Sequence, residues 1–70
     1  MKKMTQKMLK GLTQDQLEAL ETTTYFSMMY WNTRLRESPN SKIAQLSSGD
    51  FTAAVRLIVS VRNREFGPRL

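Results

Sequence analysis

Phe51-Thr52-Ala53-Ala54-Val55-Arg56-Leu57-Ile58-Val59-Ser60-Val61 is the stretch whose reading separates two folds. Taken with period 2, Val55, Leu57, Val59 and Val61 alternate with Arg56, Ile58, Ser60 and Arg62, as in a β-branched strand. Such a strand would pair with the Thr- and aromatic-rich residues 21–31 in a small α+β fold. Taken with the helical period, Thr52, Arg56, Ser60 and Asn63 recur in steps of four, four and three. They then form one narrow polar stripe on an otherwise apolar cylinder. The flanking residues favour the helix. Asp50 is suited to cap it, and Gly67-Pro68 is suited to stop it. No Asn-Gly type of hairpin turn lies between the two segments.

Upstream, Leu12-Thr13-Gln14-Asp15-Gln16-Leu17 has the pattern of a helix start. The Thr13 hydroxyl can accept a first-turn N–H, and Gln16 three residues later completes a capping box. Leu12 and Leu17 are placed to staple the chain across the cap. Asp15 and Glu18 suit the positive end of the helix dipole. The helix predicted here runs to about Arg36. Leu17, Leu20, Thr24, Met28, Trp31 and Leu35 form one face. The run Tyr25-Phe26-Ser27-Met28-Met29-Tyr30-Trp31 is apolar or aromatic nearly all round, so this helix needs cover on more than one side. Pro39 ends it, because proline disfavours helical geometry at Ser38. Ser41 to Gly49 then reads as a short helix with Ile43 and Leu46 inward, Gly49 as its stop and Asp50 as the cap of the last helix.

The predicted fold is therefore all-α, with two longer helices and one short one. Residues 1–11 read as a basic flexible arm, 12–67 as a single helical domain and 68–70 as a C-terminal tail. Two helices with wide apolar girth and one short helix to cover them leave a deficit within 70 residues. Small domains bury only ~60% of their unfolded surface. A second copy supplies the missing cover, which predicts an intertwined or face-packed homodimer. Phe26, Met28, Val55, Ile58 and Val59 are the expected interface.

With no Cys and no His, the chain has no disulfide, no ordinary zinc or haem ligand set and no His-based triad. Its three glycines stand far apart at 11, 49 and 67, so no phosphate-cradling loop is present. Asp15, Glu18 and Glu21 read as a solvated helix edge rather than an acid–base or metal site. No enzyme activity, cofactor or metal is expected. No apolar run is long enough for a membrane span, and the basic start lacks an apolar export segment, which predicts a cytoplasmic protein without membrane insertion.

The net charge of +5 is unevenly spread. Lys2, Lys3, Lys7 and Lys10 make the first ten residues +4, while residues 11–55 carry −2 and residues 56–70 carry +3. Basic ends are a footprint of nucleic-acid binding, which Lys7, Lys10, Arg56, Arg62 and Arg64 would carry. A helix-turn-helix register fails, however. Gly49 falls five residues after Ala44, and residues 51–61 offer almost nothing polar to base edges. Large aromatics and adaptable Met instead favour a protein partner. The expected function is a small regulatory or accessory protein that binds a larger protein stoichiometrically and blocks or modulates it. Tyr25, Met29, Tyr30, Trp31 and Arg34 are the expected contacts. The alternative is a small basic nucleic-acid-binding regulator.

Overall fold

Residues 4–67 are described in a computed structural model of the chain. They form α1 (Gln6–Leu9), α2 (Gln14–Glu37) and α3 (Lys42–Phe66), with no strand among the described residues. Each boundary has a chemical cause. Thr13 accepts from the Gln16 N–H at 3.1 Å, and Gln16 Oε1 accepts from the Thr13 N–H at 2.9 Å, closing the capping box. Ser41 caps α3 by accepting from the Ala44 N–H. Gly67 ends it at φ 83°, a backbone state open to glycine at little cost.

α2 and α3 form an antiparallel hairpin. Ser48 donates its hydroxyl hydrogen to the Asn32 side-chain carbonyl near the turn. Further from the turn, Arg62 Nε lies 3.3 Å from Glu21 Oε1. Advancing along α2 therefore means retreating along α3. Leu9, Leu17, Ile58 and Val61 make the core, with Met4, Leu12, Leu20 and Leu57 packed against it. This core sits where the start of α2 meets the end of α3, far from the Pro39 turn. At the turn end the buried α3 residues are the small Ala44 and Ser48.

Two expectations are corrected. The segment from Met4 to Gly11 is not a free arm. Thr5 caps a single turn, and that turn sets Leu9, 2% exposed, into the core. The short helix is thus α1, before α2 rather than after it. Residues 1–3 and 68–70, parts of the expected arm and tail, lie outside the described residues. Secondly, residues 41–66 are not a short helix followed by a second one. α3 runs straight through Gly49 and Asp50. An interior glycine costs about 1 kcal/mol relative to alanine. It stops a helix only where the chain takes a left-handed turn, and among the described residues only Gly11 and Gly67 have positive φ. Continuity keeps Ala44, Ser48, Ile58 and Arg62 on one buried face.

A prediction follows from this placement. A Cβ built on Gly49 meets nothing within 4 Å. Gly49→Ala is expected to raise stability by about 0.4–1 kcal/mol, read as a higher urea midpoint at unchanged slope. A loss of stability would show that the chain bends or opens at this residue.

Candidate binding surface

The face of α2 turned toward α3 is the stripe from Leu17 to Leu35. Leu17 and Thr24 are buried, and Leu20, Met28, Trp31 and Leu35 are half-buried. The last three are only partly covered because Ala44 and Ser48 present little bulk at that end, and the α1 core lies at the other. The opposite side of α2 is apolar as well, and open. Tyr25 is 45% exposed, Phe26 65%, Met29 47% and Tyr30 57%. Adjacent rings meet edge to face: Tyr25 and Phe26 at 6.2 Å, Tyr30 and Trp31 at 5.1 Å. Edge-to-face packing is the favoured geometry for such pairs and holds both on the rigid helix.

The expected contact residues divide between two flanks. Tyr25 and Met29 share a stripe with Thr22 and Phe26, at spacings of three, four and seven from Thr22. Tyr30 and Arg34, one turn apart and both exposed, run along another edge beside Trp31. A shallow depression of ≈ 270 Å³ opens in the first flank, lined by Glu21, Thr22, Tyr25 and Phe26.

The expected dimer residues are not brought together. Ile58 is fully buried inside its own chain and has no side chain to offer a second one. Phe26 and Met28, two positions apart, point to opposite sides of α2. Val55 and Val59 are half-buried beside the hairpin seam. The expected phosphate contacts lose Arg62, which is 6% exposed and paired with Glu21. Its buried Nε lies out of line for a hydrogen bond, so the contact is an ion pair. Lys7, Lys10, Arg56 and Arg64 remain exposed. Since α3 is unbroken at Gly49, there is also no turn for a helix-turn-helix.

Two exposed residues were expected to face inward. Ile43 is 66% exposed and Leu46 is 68%. Their inward assignment followed from a separate short helix. Carrying the phase of Ile58 back through Gly49 puts both outside the buried face. A second depression of ≈ 230 Å³ lies along α3, lined by Met4, Asp50, Ala53, Ala54 and Leu57.

Among the described residues no three His, Cys, Asp or Glu side chains cluster to hold a metal ion. Among the same residues no helix is long and apolar enough to cross a membrane. No protein-family model matches the chain, and no curated protein or solved structure shows significant similarity to it.

Proposed function

We propose that the protein is a small, non-enzymatic cytoplasmic regulator that docks on a larger protein and blocks or modulates it, and that it works as a face-packed homodimer. The reading rests on one observation above all: large aromatic side chains stand exposed on a rigid helix, on two flanks, in a chain with so small a core. Aromatic and Arg side chains are the usual anchors of protein interfaces. Tyr30, Trp31 and Arg34 supply the docking flank. The intertwined form of the dimer is not needed, because α2 and α3 already close on each other within one chain.

The test is capture of the partner from nuclease-treated lysate. Tyr30→Ala combined with Arg34→Ala is expected to lower capture at least tenfold with helicity unchanged. Lys7→Ala combined with Lys10→Ala is expected to leave it intact. The reverse pattern, with binding abolished by nuclease or by salt above ~0.2 M, would establish the nucleic-acid alternative instead.

A further inference from the structure

We infer that the outer stripe of α2 is covered by the same stripe of a second copy, running antiparallel about a two-fold axis beside Tyr25 and Phe26. This rests on the homodimer reading above and states its surface, orientation and register.

The shape of the molecule leaves one face too many. Its extents are 39 × 26 × 15 Å, an elongated and flattened shape. The radius of gyration is 13.1 Å. A compact chain of this length has about 11 Å. The accessible surface is 5359 Å². A compact monomer of 8.1 kDa exposes about 4,500 Å². The surplus of roughly 900 Å² matches the ~800 Å² that each partner contributes to a standard interface.

The stripe itself identifies the occupant, because it is complementary to its own reverse. In order it carries Asp15, Glu18, Thr22, Tyr25, Phe26, Met29, Thr33 and Arg36, every step three or four residues or the Tyr25–Phe26 doublet. Acid stands at one end, aromatic and Met side chains in the middle, and base at the other end. An antiparallel copy whose paired residue numbers add to 51 matches every position. Asp15 meets the partner's Arg36, Glu18 the partner's Thr33, Thr22 the partner's Met29, and Tyr25 the partner's Phe26. Neither Asp15 nor Arg36 has an ion-pair partner among the described residues. A parallel copy would set acid on acid and base on base.

Packing agrees with charge. The alternation of three and four residues is the spacing of a shallow left-handed helix pair, which keeps two helices in contact over a long distance. From Asp15 to Arg36 that distance is about 32 Å, at 1.5 Å per residue. The depression lined by Glu21, Thr22, Tyr25 and Phe26 lies beside the two-fold axis. Its ≈ 270 Å³ is room for the partner's Phe26 ring. The docking flank of Tyr30, Trp31 and Arg34 lies along a different edge and stays open in such a dimer.

The chain has no Cys, so introduced cysteines report proximity without background. Thr22→Cys and Met29→Cys proteins, mixed and mildly oxidised, are expected to give a mixed disulfide dimer in severalfold excess over either symmetric one. In the proposed register, like positions lie about 10 Å out of step along the axis, too far for a disulfide. Symmetric disulfides in excess would establish a parallel dimer and overturn the proposal. Sedimentation equilibrium completes the test. Asp15→Arg is expected to weaken dimerisation about tenfold or more. Adding Arg36→Asp is expected to restore it to within about threefold. A wild-type dimer that neither cross-links at 22–29 nor responds to Asp15→Arg overturns the inference but keeps the dimer. A wild-type monomer at tens of micromolar overturns both readings.

Discussion

Ile58→Ala is expected to leave the protein largely unfolded at room temperature. Among the described residues Ile58 and Leu17 are the largest side chains wholly removed from solvent, and the buried cluster around them adds Leu9 and Val61. Replacing a buried Ile by Ala costs about 2–5 kcal/mol in lost transfer energy and residual cavity. A core in a chain this short rarely supplies more than about 3–5 kcal/mol in total. The loss is thus comparable to the whole stability. By circular dichroism the melting midpoint is expected to fall by tens of degrees, at about 4–8 °C per kcal/mol. Ile43→Ala is the control, since the same atoms are deleted from an exposed position, and is expected to stay within about 0.5 kcal/mol of the parent. Equal effects of the two changes would refute the placement of the core at the end distant from Pro39. Both measurements belong at one protein concentration, because association with a second copy adds stability by mass action.

Glu21→Ala is the second large effect. The Arg62 side chain is 7% exposed and that of Glu21 18%. Deleting the carboxylate leaves a guanidinium deep in the seam without its counter-charge. Breaking a buried pair in this way costs about 3–5 kcal/mol, and the partial exposure of Glu21 places this case toward the lower end. Removing both charges is a different experiment. Glu21→Leu with Arg62→Met keeps the volume and leaves no charge behind, and such replacements are often neutral or stabilising. Urea denaturation of the two single variants and the double is expected to show a double variant far more stable than the sum of the singles implies. Additive losses would mean that Arg62 contributes by packing its alkyl stem alone. The pair also bears on the surface chemistry. Together with Asn32 and Ser48 it sets the register of α3 on α2, and hence which side of α2 is left outward.

The ends of the long helices were legible because they depend on residues next to them in the chain. Thr13 with Gln16, Ser41, Pro39 and Gly67 each act over three or four residues, and each sits in the structure where its chemistry asks. The helical rather than strand reading of residues 51–61 was right, but of its grounds Gly67 holds and the Asp50 cap does not, since α3 is already helical there. Gly49 and Asp50 misled for the complementary reason. Both are suited to a helix boundary, yet the approximately 1 kcal/mol cost of an interior glycine is smaller than the gain from one uninterrupted buried face. Leu9 was illegible for want of a partner. Nothing within residues 1–11 shows that Leu57 and Val61, some fifty residues on, offer it a place.

The candidate surface divides along the same line. By itself the sequence determined that α2 is apolar on two sides, that the two basic ends flank a mildly acidic middle, and that no His- or Cys-based chemistry is available. It did not determine which apolar side of α2 faces inward. Leu20, Met28 and Trp31 on one side and Tyr25, Phe26 and Met29 on the other are alike in hydrophobicity. Only the tertiary structure made the choice. Asn32–Ser48 and Glu21–Arg62 lock the two helices at one rotation. Such pairings join residues distant in the chain, so they decide the exposed face only once both helices are in place.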